Sequence, residues 1–167
     1  MEELAGDSQY SRGTTLRGAF VGWNRHSMDE KKRLTIPANW REIMGYPGYM
    51  YVMFSAQQDR LLTLIPPIEM EEKIKQLREG LRGNPGYKTA LKFISENSEQ
   101  VFFDAQGRIR IPDRLLSVGK LNKAREKVVM LGALDKIELW PQSLKPETEP
   151  VKVQDEAVLR LFDELDL

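Results

Sequence analysis

The chain has 167 residues and balances 25 Lys and Arg against 25 Asp and Glu, so its formal net charge is zero. The length fits one domain or a tightly joined pair, and the zero net charge excludes an overall basic field that attracts nucleic acid. The absence of cysteine excludes disulfides, thiolate metal sites and cysteine nucleophiles, and it fits a reducing cytoplasm. We expect no membrane span, since no apolar run is long enough, and no secretory signal, since no basic segment leads into an apolar one at the start.

The charges are distributed unevenly along the chain. Residues 8–41 hold seven Lys and Arg against two acidic residues, whereas residues 142–167 hold three against seven. The neutral total therefore conceals a basic region near one end and an acidic tail at the other.

The first elements combine short strands with one small helix. Residues 1–15 are polar and rich in Gly, Ser and Thr, which is typical of a flexible arm. Leu16–Trp23 is apolar with two glycines and predicts a strand that bends. The polar tetrad 29–32 predicts a turn, and the alternation over 33–36 predicts a strand with one buried face. Pro37 ends that strand and favours a helix over 38–44.

A hairpin and two helices follow. Aromatic and β-branched residues predict a strand over 49–54, with a turn at 57–60 and a return strand over 61–65 that ends at Pro66-Pro67. Apolar residues recur at helical spacing over 68–81, and a second helix is expected over 87–98.

The second half of the chain predicts the same order of elements. These elements are a strand over 101–103, a turn over 104–107, a strand over 108–111, a short helix from Pro112 to near Gly119, a hairpin of strands 127–132 and 136–140, and a terminal acidic helix over 153–165. We therefore divide the chain into an arm (1–15), a first repeat (16–66), connecting helices (67–98), a second repeat (99–143) and an acidic C-terminal tail (144–167).

The two repeats share a sequence as well as an order. Asp29-Glu-Lys-Lys-Arg33-Leu-Thr-Ile-Pro37 returns as Asp104-Ala-Gln-Gly-Arg108-Ile-Arg-Ile-Pro112 at the same spacing. An internal repeat indicates a repeated fold unit, and a unit this small buries too little apolar surface to be stable alone. We predict an α+β fold in which the two copies pack into one pseudo-symmetric, barrel-like unit with the middle helices outside.

The first turn has the chemistry of a nucleic-acid contact. An Asp at the start of a turn can accept hydrogen bonds from the backbone N–H two residues on, so we expect Asp29 to hold the turn rigid. Arg33 offers a planar fork of donors that matches phosphate oxygens or the guanine edge. Lys31 and Lys32 supply charges for the phosphate backbone, and Arg25 lies on the preceding segment.

A simpler interpretation is that these turns are only structural. Asp29 pairs with Arg33, and Asp104 with Arg108, to stabilise each turn, although an exposed pair contributes only about 0–1 kcal/mol. The lysines beside Arg33 favour binding in the first turn. The second turn has Gln106-Gly107 in their place, so a structural role has more weight there.

Other chemistry has little support in the sequence. His26 is the only histidine, so we expect a polar surface residue and no metal site. No Ser/His/Asp set and no Walker-type phosphate loop is present. Trp23, Trp40 and Trp140 are expected to fill the core. We predict that the chain is not an enzyme, that it has no cofactor, and that no catalytic residue is present.

The combination of motifs resembles the MraZ family, whose members carry two DNA-binding domains of the SpoVT-AbrB type. The resemblance covers about residues 20–143. It rests on four features: Phe20-Val-Gly22, two Asp-x-x-x-Arg turns that each run into Ile-Pro, Val129-Met-Leu-Gly132 and Ile137-Glu-Leu-Trp140. One departure is Lys32, which stands where the family has glycine, so a different turn geometry is expected.

The resemblance implies a function and a set of site residues. It implies a swapped-hairpin barrel in each subunit, a ring-shaped homo-oligomer and a transcriptional regulator associated with the nucleoid. The regulator would bind short tandem repeats in double-stranded DNA upstream of the division and cell-wall gene cluster that includes its own gene. The family motif places DNA recognition at Asp29, Arg33, Asp104 and Arg108; Lys31, Lys32 and Arg25 are added from charge alone. The alternative is an antitoxin-type module that binds a partner protein through its acidic tail.

Overall fold

The computed structural model describes residues 16–56, 61–80, 83–144 and 153–167. This part of the chain forms an α+β fold of eight strands and five helices, as the sequence predicts. In chain order the elements are β1 (Trp23–Ser27), β2 (Arg33–Thr35), α1 (Ala38–Ile43), β3 (Tyr49–Phe54), β4 (Leu62–Ile65), α2 (Pro67–Gly80), α3 (Tyr87–Asn97), β5 (Ser98–Phe102), β6 (Arg108–Arg110), α4 (Asp113–Val118), β7 (Lys127–Gly132), β8 (Ile137–Pro141) and α5 (Glu156–Glu164).

Two antiparallel sheets organise these elements. Six strands form one sheet in the order β1-β7-β8-β4-β3-β5, and β2 pairs with β6 in a separate two-stranded ribbon. The chain contains two ββαββ units, one with β1 to β4 and α1, the other with β5 to β8 and α4. When the two units are exchanged, the same strand orders result, read in the opposite direction. The centre of this exchange lies at the pairs Thr63–Glu138 and Leu34–Ile109. Because β1 pairs with β7 and β5 pairs with β3, each unit completes the sheet of the other.

The core lies between the six-stranded sheet and the ribbon. Strand alternation turns Leu34 and Ile109 of the ribbon inward, where both are buried, and leaves their neighbours outside. Helices α1 and α4 add Trp40 and Leu115 to the same cluster. The Trp40 ring meets the Phe20 ring edge to face, with centroids 5.8 Å apart. This packing fixes the ribbon against the sheet.

Only one of the three tryptophans fills the core, so the prediction for the other two is wrong. Trp40 is buried, whereas Trp23 is 46% exposed and Trp140 is half-buried. Trp23 lies on edge strand β1, on the face directed away from the core. The Trp140 indole N–H donates to Glu138 at 3.1 Å, so this ring keeps a polar partner.

The connecting helices lie against the β3 end of the sheet. α2 and α3 pack on each other and on β3, and Phe93 meets Phe54 edge to face at 5.5 Å. Ile74, Leu91 and Ile94 line a groove between the two helices. Among the described residues, no helix is both long and apolar enough to cross a membrane.

The largest difference from the predicted elements lies before β1. The strand expected over 16–23 is wrong, since β1 begins only at Trp23. Gly22 adopts a left-handed backbone with φ of 75° and turns the chain, so Phe20 makes an isolated bridge to Leu134 instead. The arm 1–15, the turn 57–60 and the tail residues 145–152 lie outside the described residues, and the proposed domain division stays a prediction.

Candidate nucleic-acid interface

The first turn is organised by one carboxylate. Asp29 Oδ1 accepts hydrogen bonds from the backbone N–H groups of Lys31 at 2.9 Å and Arg33 at 2.8 Å. Asp29 Oδ2 accepts from Arg33 Nε at 2.6 Å. One side chain therefore ties the backbone of the turn and orients the guanidinium that leaves it.

The second turn repeats this arrangement bond for bond. Asp104 Oδ1 accepts from the backbone N–H groups of Gln106 and Arg108, both at 2.9 Å, and Oδ2 accepts from Arg108 Nε at 2.7 Å. The pairing considered as a structural alternative therefore exists in both turns. The ion pair uses Nε of each arginine. The two η nitrogens of Arg33 form no hydrogen bond with the described residues. Arg33 can therefore keep its pair with Asp29 while its η nitrogens contact a ligand.

Both aspartates are stabilised as anions. The backbone N–H of Arg33, followed by its guanidinium and the N–H of Lys31, lowers the pKa of Asp29 below its ordinary value, and this outweighs the opposing desolvation. The pKa of Asp104 is lowered in the same way, first by the backbone N–H of Arg108. Hydrogen bonds to the charged form cause both shifts, so each turn keeps its geometry at neutral pH.

The position before each arginine has a left-handed backbone. Lys32 has φ of 57° and Gly107 has φ of 74°, so the lysine of the first turn adopts the conformation for which glycine is favoured. The different geometry expected from Lys32 is not found, since the two turns share their hydrogen bonds. Gly107 has a second constraint, because a Cβ there would lie within 2.4 Å of the Arg41 guanidinium carbon.

The ribbon brings the two turns side by side. Arg33 starts β2 and Arg108 starts β6, and the antiparallel register pairs Arg33 with Arg110 and Thr35 with Arg108. The inward direction of Leu34 leaves these four side chains on the outer face. Arg108 Nη1 lies 4.0 Å from Asp29 Oδ2 of the other turn. The ribbon therefore presents one continuous, arginine-rich surface.

Asp113, at the start of α4, partly neutralises the positive charge of the ribbon surface. Its Oδ1 accepts from Arg110 Nη2 at 3.0 Å and from Lys32 Nζ at 3.3 Å. The pKa of Asp113 is lowered, first by Arg110 and then by Lys32. One cation from each repeat is thus held by a single carboxylate, whereas Lys31 stays exposed.

Arg25 is not brought together with the turns. It lies on β1 with its guanidinium 4.9 Å from the centre of the Trp23 ring. Strand alternation places Arg25 on the opposite face of β1 from Met28, which is buried in the core. Its assignment to the same contact surface as Arg33 has no support from these contacts, and a role in binding stays a prediction.

A second basic segment was missed from the sequence. Residues 119–126 connect α4 to β7 and lie beside the first turn, where Arg125 Nη2 pairs with Glu30 at 2.9 Å. The density of cations in this segment was a signal: Lys120, Lys123 and Arg125. The sequence did not show that this segment lies beside the first turn, because that position depends on the pairing of β7 with β1.

The described part of the chain offers no metal site at this interface. The described residues contain no group of three or more His, Cys, Asp or Glu side chains arranged to hold a metal ion. His26 is half-buried on β1 opposite Val128. The concentration of arginine and lysine suits an anionic ligand.

Lys32→Gly is expected to stabilise the protein by about 1 kcal/mol, because glycine removes the cost of a left-handed lysine. The exposed pair with Asp113 offsets little of this gain. The measurement is equilibrium urea unfolding at one protein concentration. Lys31→Gly is the matched control, since Lys31 has no left-handed backbone. Equal stability of the two variants would show that the backbone at Lys32 carries no strain.

Asp29→Asn/Asp104→Asn is expected to be less stable than the parent at neutral pH. The carboxylates contribute stability that is fully present above the unfolded pKa, close to 3.8, and that is lost as the pH falls through the lowered folded values. The difference in melting temperature should therefore shrink below pH 3.8, as followed by circular dichroism. The same change at Asp163 on exposed helix α5 provides the control. A difference that stays constant with pH would contradict the assignment.

Comparison with known proteins identifies the family. A family model described as "MraZ protein, putative antitoxin-like" matches residues 94–144. The chain is similar to proteins named transcriptional regulator MraZ from Acidithiobacillus ferrooxidans, with 30% identity over 72% of this chain and 82% of the relative, and from Corynebacterium jeikeium, with 32% identity over 72% and 80%. The relative from Clostridium tetani is 27% identical over 87% of this chain and 98% of its own length. With these identities over most of both chains, the protein belongs to the MraZ family.

Proposed function

We propose that this protein is a transcriptional regulator that binds double-stranded DNA through the outer face of the β2–β6 ribbon. The observation that carries the proposal is the pair of matched turns, each of which orients an arginine with its own aspartate. The relatives named as transcriptional regulators support the same role.

The geometry suits recognition of a duplex. A two-stranded ribbon fits the major groove, where arginine binds the guanine edge through two hydrogen bonds. Arg33 and Arg108 are pre-oriented, so little side-chain entropy is lost when they bind. Lys31 and Lys32 lie in the first turn and would supply phosphate contacts, Lys32 by leaving its pair with Asp113. Phosphate contacts supply affinity and base contacts supply specificity.

The strand exchange between the two units supports a finer description of the fold. We propose that the units are tandem SpoVT-AbrB repeats that form a swapped-hairpin barrel. Each unit gives its first strand to the hairpin of the other, as in the pairs β1–β7 and β5–β3. With this interlocking, we expect half of the chain to be only marginally stable alone.

Self-association into a ring is the next part of the proposal. β1 and β5 are the edge strands of the six-stranded sheet, and edge strands are sites for further pairing. Apolar side chains are exposed at both edges, with Val21, Trp23 and Leu134 near β1 and Phe102 on β5. Helix α5 has no buried residue and exposes Leu161, Phe162 and Leu165. Surfaces of this kind favour contacts between copies.

A ring of identical readers suits repeated DNA. Repeats spaced by one helical turn, about 10 base pairs, face the same side of the duplex, and several weak sites held together bind such DNA by avidity. We propose short tandem repeats upstream of the division and cell-wall gene cluster, including the protein's own gene, as the target. This target places the protein in the cytoplasm, associated with the nucleoid.

Arg33→Ala is expected to weaken specific binding at least about fivefold, because one bidentate contact is worth about 1–3 kcal/mol. Arg108→Ala tests the second turn in the same way. The measurement is a gel shift with the DNA upstream of the protein's own gene. Arg78→Ala is the control, since it removes a guanidinium group from helix α2, which packs on β3. Unchanged binding by both turn variants, with fold and assembly intact, would exclude the ribbon as the reader.

Leu161→Asp/Phe162→Asp is expected to reduce the size of the assembly, because it places charges on the apolar stripe of α5. The subunit should keep its fold, since α5 buries none of its residues within the subunit. Light scattering after size exclusion gives the mass, and circular dichroism checks the fold. Arg160→Ala on the same helix is the control. An unchanged mass would show that α5 does not join subunits.

The alternative is an antitoxin-type module that binds a partner protein. The description of the matching family model includes the words antitoxin-like, and α5 combines acidic side chains with an exposed apolar stripe. A basic partner that co-purifies with the parent and is lost with the α5 variant would favour this role. That the chain is not an enzyme stays a prediction in both cases.

A further inference from the structure

We infer that residues 119–126 form a phosphate-binding segment that serves the first turn alone, so that each subunit binds its DNA site in one orientation. We call this segment the basic loop. The inference rests on the proposed function and adds a direction to it.

The basic loop has a shorter counterpart in the first repeat. Residues 44–48 connect α1 to β3, whereas residues 119–126 connect α4 to β7, so the second connection is three residues longer. The two connections begin alike, since the N–H of Tyr46 donates to the Arg41 carbonyl at 2.9 Å and the N–H of Leu121 donates to the Leu116 carbonyl at 2.8 Å. The three extra residues of the second connection therefore come after a first part that has the same hydrogen bond in both connections.

The charges of the two connections differ completely. The basic loop contains Lys120, Lys123 and Arg125 with one acidic residue, Glu126, whereas residues 44–48 contain no charged side chain. The three cations are all exposed. Lys120 and Lys123 form no ion pair with any described residue, so both are available to an anion.

Each connection lies beside a different turn. The N–H of Met28, just before the first turn, donates to the Glu126 carbonyl at 2.8 Å, and the N–H of Arg125 lies 3.4 Å from the Asp29 carbonyl. At the equivalent place, the N–H of Phe103 donates to the Gly48 carbonyl at 3.0 Å. The basic loop is therefore anchored to the Asp29 turn, and the uncharged connection is anchored to the Asp104 turn.

The ion pair of the basic loop does not cancel its charge. The Arg125 and Glu30 side chains are 72% and 78% exposed, and a pair this exposed is weak. A phosphate approaching the first turn would meet Lys31 and Arg33 together with Lys123 and Arg125. The second turn offers Arg108 and Arg110 without a flanking cationic loop.

This inequality gives the subunit a polarity on DNA. The two Asp–Arg pairs exchange under the pseudo-symmetry, so by themselves they would fit a site in either orientation with little difference, whereas Lys31 and Lys32 belong to the first turn only. Phosphate contacts fix register and orientation, and only one side of the ribbon has the basic loop to make them. Successive subunits of a ring would then bind repeats that all run in the same direction.

The first experiment measures the salt dependence of binding. The probe is a duplex with one site, selected by the parent protein from a random-sequence library. Lys123→Ala/Arg125→Ala should make the plot of log affinity against log salt less steep by about 1 to 2, since each phosphate contact contributes about 0.9. The matched control is Lys75→Ala/Lys88→Ala, which removes the same charge from helices α2 and α3.

A slope that equals that of the control would overturn the inference while leaving the ribbon as the reader. Failure of the parent to select or bind any duplex would instead reject the proposed function. If Arg33→Ala loses binding while the loop variant keeps the parent's slope, the inference about the basic loop is wrong and the proposed function of the ribbon stands.

The second experiment tests the direction itself. Because the chain has no cysteine, Ala124→Cys or Ala105→Cys introduces a unique thiol that carries an iron chelate for DNA cleavage. Cleavage from position 124 should fall on one flank of the one-site duplex, and cleavage from position 105 should be displaced toward the other flank. Equal cleavage of both flanks from position 124 would contradict a preferred orientation.

Discussion

The pairing of β2 with β6 is the interaction on which the candidate interface depends. Leu34 and Ile109 meet at the centre of the pseudo-symmetry and are buried against the sheet. Because side chains alternate along a strand, burial of these two residues forces the flanking arginines outward. A slip of one residue would bury the arginines and expose the apolar pair. The free energy of core packing therefore sets the direction of the functional side chains.

The two turns show how a repeated unit tolerates differences in sequence. The hydrogen bonds of Asp29 and Asp104 are the same although lysine replaces glycine at the left-handed position. Lys32 accepts a cost in backbone energy and adds a cation. At Gly107 the Arg41 guanidinium occupies the space of a Cβ, so a larger residue there would require the Arg41 side chain to move. The first repeat is thus the more charged of the two, and the longer connection between α4 and β7 increases the difference.

Local patterns predicted much of the fold and part of the site. The hairpin strands over 49–54 and 127–132, both Asp-x-x-x-Arg turns and the helices between the repeats follow from turn chemistry and periodicity. The strand expected before Trp23 was wrong, because a left-handed Gly22 redirects an apolar segment toward Leu134. The burial expected for Trp23 also failed. An aromatic side chain on an edge strand packs inward or outward according to register, which composition does not encode.

The sequence alone determined the repeat, the rigid turns and the resemblance to a family, because each of these depends on residues that are close along the chain. Only the tertiary structure decided that β1 pairs with β7, that Arg108 approaches Asp29, that Arg25 faces away from the ribbon, and that the segment around Arg125 lies beside the first turn. These contacts join residues far apart in sequence. They follow from which strands can bury their apolar faces together, and that is a property of the whole packed core.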